Sequence, residues 1–283
     1  MDLAARGLPA LPDPLPVATV DAHTHLDNVE ERTGLSAGES IELAAAVGVE
    51  WIIQAGDTAE DSTWAEELAR AHPEVVACVA LHPNEVARHP QRAEAGFAEI
   101  TRLAGAGPHV RAVGETGLDY YRTTDLEGKA RQQEFFRRHI ELACALGLTL
   151  MIHDREAHED ILALLDEGPR PQRVVMHAFS GDYDHARACL ERGYWLSFPG
   201  TITFPANHHL HRALAVAEPE KILVETDAPY LTPVPVRGRP NGPYLVPYTV
   251  RFVAEQRGWD LGETCQRLRD NAFAAYGGPW GNV

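Results

Sequence analysis

Residues 20–27 read VDAHTHLD, a short apolar strand pattern that runs directly into the pair His23 and His25. The first strand of an open, doubly wound α/β sheet is normally followed by a glycine-rich turn that binds phosphate. Here the strand is followed by two histidines and no such turn. We therefore expect a (β/α)8 TIM barrel and keep the doubly wound sheet as the alternative.

The rest of the chain repeats the order of strand followed by helix. Apolar, β-branched runs predict strands at residues 18–22, 51–55, 75–80, 110–113, 148–152, 174–176, 195–198 and 222–224. Helical patterns lie at residues 37–47, 60–71, 128–146, 157–165 and 183–192, and closing helices are expected at 251–256 and 261–276. This βα order favours one parallel sheet that closes on itself. Residues 229–247 contain six prolines and are predicted to form a long loop after the eighth strand.

Length and charge restrict the possibilities further. The 283 residues suit a single barrel domain, which we predict at residues 17–283 after an N-terminal extension at residues 1–16. The formal net charge of −16 argues against a broad basic surface that holds nucleic acid through counterion release, so a phosphate substrate must be bound locally. The four cysteines form no CxxC pair, and neither a signal peptide nor a membrane span is visible. We expect reduced cysteines and a cytoplasmic protein.

Residues of the metal-ligand type fall at the ends of the predicted strands. His23 and His25 are two positions apart on an extended segment, a spacing that points both imidazoles to the same side. Four further positions follow strands four, five, six and eight, namely Glu115, His153, His177 and Asp227. In a (β/α)8 barrel the carboxyl ends of all strands open on one face. The pattern therefore predicts a divalent-metal site, the alternative being separate polar residues that cap loops.

Several motifs together resemble one known family. Eight segments are similar to those of the TatD family of metal-dependent hydrolases and occur in the same order, namely VDAHTHLD, LHPNE, VGETGLDYYR, IHDREAHED, MHAFSGD, LSFPGTITF, ETDAPYLTP and RGRPNGP. This family lies in the amidohydrolase-like superfamily, and the resemblance runs from about residue 20 to residue 276. It implies a barrel and a metal-dependent phosphodiesterase activity, which several members have.

Carried over motif by motif, the resemblance implies a site for two divalent metal ions. Its ligands are His23, His25, Glu115, His153, His177 and Asp227. We expect Glu115 to bridge the two ions and Asp227 to act as the general base that takes a proton from the attacking water. Histidine ligands suit zinc, manganese or nickel, whereas oxygen ligands suit magnesium, so the identity of the metal stays open.

Five further residues are candidates for substrate binding. Three arginines that follow the ligand motifs can clamp a phosphate, namely Arg122, Arg155 and Arg237. The other two candidates are Asn241, in the same loop as Arg237, and His82 in the LHP motif. The main hypothesis is a DNase that resembles a 3'-5' exodeoxyribonuclease. The alternatives are an ester or amide hydrolase, such as an aminoacyl-tRNA deacylase, and a binding protein without catalytic activity. The sequence leaves the polarity of cleavage and the oligomeric state open.

Overall fold

The computed structural model describes residues 2–281, and within them eight strands form one sheet whose order follows the chain from β1 to β8. The strands are β1 Thr19–Thr24, β2 Val49–Gly56, β3 Val75–Val79, β4 Val110–Asp119, β5 Thr149–Arg155, β6 Val174–Met176, β7 Trp195–Phe198 and β8 Ile222–Val224. No strand is skipped in this order, and helices alternate with the strands. These features confirm the predicted (β/α)8 fold class.

Eleven α-helices lie within residues 2–281. They are α1 Leu26–Thr33, α2 Ala37–Ala46, α3 Ala59–Ala71, α4 Pro83–Arg88, α5 Pro90–Ala104, α6 Leu126–Leu146, α7 His158–Glu167, α8 Tyr183–Glu191, α9 His208–Val216, α10 Val246–Arg257 and α11 Leu261–Ala275. Local chemistry sets several ends: Ser36 and Glu39 form a capping box at the start of α2, and Gly147 ends α6 in the left-handed conformation. The sequence patterns did not predict α1, α4 or α5.

The chain divides into two compact units. One comprises Met1–Ile53, Gly181–Leu190 and Leu196–Phe273, and in it Thr24, at the end of β1, pairs with Ala228 after β8. The other comprises Gln54–Ser180, Glu191–Trp195 and Ala274–Val283, and it contains β3 to β6. The predicted boundary between an extension and a barrel domain at residue 17 stays a prediction, and its outermost residues, 1 and 282–283, lie outside the described part.

Strand β4 is longer than its apolar pattern indicated. It continues to Asp119, whereas the sequence predicted an end at residue 113, so Glu115 lies within the strand. The extension pairs with β5 in parallel, with Gly117 opposite His153. A side chain at position 117 would collide with the carbonyl oxygen of His153, and the φ of 141° also requires glycine there. The glycines that make this close pairing possible also interrupt the apolar run, which is why the prediction ended too early.

The predicted proline-rich loop is present but shorter than expected. Helix α10 begins at Val246, with Pro247 in its first turn. Proline is tolerated there because the first backbone N–H groups of a helix have no partner within the helix. Of the cysteines, Cys78, Cys189 and Cys265 are buried. No helix in the described part of the chain has the length and hydropathy needed to cross a membrane.

Candidate metal centre

The first cluster consists of His23, His25 and Asp227. His23 lies in β1, His25 follows this strand directly, and Asp227 follows β8. The Nε2 atoms of the two histidines are 3.0 Å apart, and Asp227 Oδ1 lies 3.6 Å from that of His23 and 3.7 Å from that of His25. Both imidazoles are buried, whereas the Asp227 side chain is partly exposed. Two nitrogens and one carboxylate oxygen thus converge, which is a donor set suited to a divalent cation.

Backbone hydrogen bonds hold the first cluster in place. The amide of Asp227 donates to the carbonyl oxygen of His23 at 3.0 Å, and the amide of His25 donates to that of Ala228 at 2.8 Å. Asp227 has a φ of 50°, in the left-handed region that aspartate and asparagine tolerate better than most residues. This turn brings the carboxylate back towards His23 and His25.

Asp21 supports this arrangement and was missed by the sequence analysis. Its buried carboxyl accepts hydrogen bonds from the amide of Thr226 at 2.8 Å and from the Thr226 hydroxyl at 2.5 Å. Burial raises the pKa of Asp21 to about 8, although the bonds from Thr226 act in the opposite direction. The signal in the sequence is an acidic residue inside a strand that was predicted to be buried. Asp21 therefore ties β1 to the segment that carries Asp227.

The second cluster consists of Glu115, His153 and His177. Glu115 lies in β4, His153 in β5, and His177 follows β6 directly. Glu115 Oε1 lies 2.5 Å from His153 Nδ1 and 3.0 Å from His177 Nε2. Glu115 is buried, and His177 is buried beside it. A carboxylate oxygen with two imidazole nitrogens is again a suitable donor set for a divalent cation.

Electrostatics in the second cluster favour bound positive charge. Burial alone would raise the pKa of Glu115, but the neighbouring His177, His82 and His153 hold it well below its usual range. Burial also opposes charge on His153, yet Glu115 and Asp119 raise its pKa to about 9. The carboxylates that stabilise a proton on His153 would also attract a metal cation.

Asp119 is a second residue that the sequence analysis missed. Its Oδ2 lies 3.3 Å from His153 Nε2 and accepts a hydrogen bond from Asn84 Nδ2 at 2.9 Å, while Oδ1 accepts one from the amide of Arg122 at 2.8 Å. Partial burial would raise the pKa of Asp119, but these hydrogen bonds, led by that from His153, lower it. A carboxylate on the outer nitrogen of a ligand histidine fixes the orientation of the ring. The signal was available in the aspartate that ends GETGLD.

Three arginines proposed for substrate binding have described partners of their own. Arg122 is half exposed, with its Nε 4.0 Å from Asp119 Oδ2. The guanidinium carbon of Arg155 lies 4.0 Å from the ring centroid of Tyr121, and that of Arg237 lies 4.1 Å from the ring centroid of Phe204. Arg122 and Arg155 lie in the same compact unit as the second cluster, and Arg237 lies in the same compact unit as the first cluster.

Asn241 and His82 differ from the arginines because they are held by the protein backbone. The buried amide of Asn241 donates to the carbonyl oxygens of Thr226 and Tyr230, so it braces the loop after Asp227. The His82 ring caps α4, and its Nε2 lies 3.4 Å from Glu115 Oε1. Contact between either residue and a substrate stays a prediction.

Comparisons with known proteins identify the family of this chain. The model of the family described as "TatD related DNase" matches residues 20–277. A Mycobacterium tuberculosis protein named "Uncharacterized metal-dependent hydrolase TatD" is 42% identical over 264 residues, which are 92% of this chain and 98% of that protein. The Bacillus subtilis protein named "Uncharacterized metal-dependent hydrolase YabD" is 34% identical over 253 residues, which are 89% of this chain and 96% of that protein.

Solved structures show the same similarity. The crystal structure of the TatD homolog YjjV from Escherichia coli superposes with a TM-score of 0.81 at 27% identity, covering 92% of this chain and 98% of that one. An organophosphorus hydrolase from Deinococcus radiodurans superposes with a TM-score of 0.60 at 15% identity, covering 96% and 98% of the two chains. The second comparison concerns the fold alone.

Proposed function

Since this chain belongs to the family of TatD-related DNases and is a metal-dependent hydrolase, we propose that it cleaves phosphodiester bonds of DNA with the help of two divalent cations. The observation that carries the proposal is the convergence of donors in each cluster. The first cluster supplies two imidazole nitrogens and a carboxylate oxygen, and the second supplies the same set. Such sets suit zinc, manganese or nickel, and their carboxylates also suit magnesium.

The proposed assignment of ligands follows the clusters. His23, His25 and Asp227 would hold one cation, and His153 and His177 the other, with Glu115 contributing to both. Bound cations would lower the pKa of a water molecule and offset negative charge that develops on the phosphoryl oxygens. The remaining chemistry falls to side chains of this protein.

Asp227 is the proposed general base. Its side chain is 13% exposed, whereas that of His23 beside it is fully buried, so the carboxylate is within reach of solvent. A carboxylate beside the attacking water can accept its proton as the new bond to phosphorus forms. Glu225, two residues earlier, is fully buried and accepts a hydrogen bond from the Ser197 hydroxyl at 2.5 Å. Its burial and this bond support a structural role for Glu225 and leave Asp227 as the base.

The arginines are the proposed phosphate-binding groups. A chain with a net charge of −16 attracts DNA poorly at long range, so binding must depend on local cations and guanidinium groups. Arg122 and Arg237 are exposed, and Arg155 rests on a partly exposed tyrosine, so their charges can face a phosphate. Removal of single nucleotides from a 3' end is the narrower form of the proposal.

A parallel activity screen tests the proposed function. The metal-depleted protein is reloaded separately with zinc, manganese, nickel or magnesium and is incubated with single-stranded DNA, RNA, a phosphodiester dye and an aminoacyl ester. We expect metal-dependent cleavage of DNA and of the dye, with little in Asp227→Asn and a native rate in Glu31→Gln, an exposed carboxylate that serves as the control. Cleavage of the aminoacyl ester alone would replace the DNase proposal with the ester-hydrolase alternative.

A further inference from the structure

The orientation of the His82 ring fixes which of its nitrogens carries the proton. His82 precedes α4 as its N-cap, and the backbone amide of Asn84 donates a hydrogen bond to His82 Nδ1 at 3.0 Å. An imidazole nitrogen that accepts a hydrogen bond has its lone pair in use and bears no proton. In the neutral ring the proton therefore lies on Nε2.

The segment around His82 is anchored on both sides. The amide of His82 donates to the carbonyl oxygen of Asp57 at 2.8 Å, and the amide of Leu81 donates to Nε2 of the buried His139 at 3.2 Å. His139 in turn donates from Nδ1 to the carbonyl oxygen of Phe135 at 2.7 Å. These bonds hold the backbone at His82 in place, so the ring extends from a fixed position and its Nδ1 lies beside the amide of Asn84.

This tautomer decides what His82 can do in the second cluster. His82, Glu115 and His153 have ligand-type atoms within 4.8 Å of one another, an arrangement that resembles a metal site. However, a metal on His82 Nε2 would need the lone pair of that nitrogen while Nδ1 also accepts a hydrogen bond. Both ring nitrogens would then lack a proton, which requires an imidazolate anion. A neutral His82 can only donate from Nε2.

We propose that His82 is a hydrogen-bond donor to a substrate oxygen beside the second cluster, and that it is not a metal ligand. Its Nε2 lies 3.4 Å from both Glu115 Oε1 and His153 Nδ1, and its side chain is 13% exposed, so a substrate can reach it. This role of His82 rests on the proposed function, because the substrate oxygen that accepts the hydrogen bond is taken to belong to a phosphodiester. A donor fixed by the backbone needs little reorganisation when negative charge develops on that oxygen.

Two substitutions separate this role from simple capping. In His82→Asn, the side-chain oxygen can still accept from the amide of Asn84, because asparagine is a good N-cap, but the distant donor is lost. In His82→Gln, the amide nitrogen reaches approximately the position of Nε2, whereas the cap is lost. The two variants therefore each remove one of the two functions of the ring. Metal binding by zinc titration, thermal stability and turnover of the phosphodiester dye are measured for both.

We expect His82→Asn to keep native zinc binding and thermal stability while its turnover falls about ten-fold to a hundred-fold, the effect of one lost hydrogen bond to a charged oxygen. His82→Gln should unfold at a lower temperature but retain more turnover than His82→Asn. Native turnover in His82→Asn, or equal loss in both variants, contradicts the donor role. Weaker zinc binding in His82→Asn shows instead that His82 is a ligand.

Nitrogen NMR tests the tautomer independently of any activity. Protein labelled with ¹⁵N at histidine is recorded without metal and with zinc, and the His82 signals are assigned by their absence from His82→Asn. We expect a protonated Nε2 and an unprotonated Nδ1 in both samples. Loss of the Nε2 proton on addition of zinc overturns the proposal. If the protein cleaves another ester and no phosphodiester, the proposed function fails, while this spectrum and the variants measured on that ester still decide the role of His82.

Discussion

Replacement of Asp227 by asparagine is the substitution that tests the proposed chemistry with the least structural disturbance. Asp227 has a φ of 50°, a conformation that asparagine tolerates, whereas alanine would add about 1–2 kcal/mol of strain. The bond from the amide of residue 227 to the carbonyl oxygen of His23 is independent of the side chain and remains. The change therefore removes one negative charge and one proton acceptor with little change of shape.

The expected loss of turnover follows from the role of the base. General-base catalysis contributes about 10² to 10⁴-fold in rate, or roughly 3 to 5 kcal/mol of activation free energy. Two histidine nitrogens 3.0 Å apart remain in the first cluster, so we expect the variant to retain much of its metal at saturating concentration. Turnover of the phosphodiester dye, metal content and thermal unfolding are measured together. A near-native rate in the metal-loaded variant would refute the base role, and a low metal content would show that Asp227 acts mainly as a ligand.

Three further predictions concern the second cluster, the arginines and the core. Glu115→Gln should bind fewer metal ions per chain than His153→Ala, because Glu115 is proposed to contact both ions; equal stoichiometry by elemental analysis would contradict the bridge. Single alanine variants of Arg122, Arg155 and Arg237 should lose about ten-fold or more in phosphodiester turnover and little turnover of a neutral ester. Arg212→Ala, at an exposed position, serves as the control. Burial lowers the pKa of His139 from 6.5 to about 4, so the unfolded chain takes up a proton at a higher pH than the folded protein. The stability that the neutral, buried ring contributes is therefore complete above pH 6.5 and is lost as the pH falls towards 4. Urea unfolding should show this loss, which His139→Gln abolishes; an equally steep pH dependence in the variant would exclude His139 as its source.

The fold was predictable because of the way its strands are buried. Strands β3 and β6, for example, are buried along their whole length, so they appear in the sequence as short, continuous apolar runs. The same rule failed where function interrupts the pattern. The end of β4 combines Gly114 and Gly117 with the acidic residues Glu115 and Asp119, and no apolar periodicity identifies such a segment as a strand. This segment becomes a strand by pairing with β5, which lies about 30 residues later in the chain, so its own residue pattern does not predict it.

The residues that the sequence analysis missed are those whose role depends on a partner distant in the chain. Asp21 acts through Thr226, a contact between residues 205 positions apart, and Asp119 acts through His153 and Asn84, at separations of 34 and 35 positions. A motif identifies the candidate ligand histidines by their spacing, but it does not indicate which carboxylate orients each ring. That information appears only when the strands are brought together.

His82 shows the same limit at the level of a single proton. The sequence places it in the LHP motif and predicts contact with substrate, but it does not decide between the two tautomers of the ring. The choice depends on the amide of Asn84, which is available to Nδ1 only because the chain turns into α4 immediately after His82. A backbone N–H at the start of a helix has no partner within the helix, so it takes whichever acceptor the capping residue offers. The short helix α4, which no sequence pattern predicted, therefore assigns the tautomer of His82, and with it the role of this side chain beside Glu115.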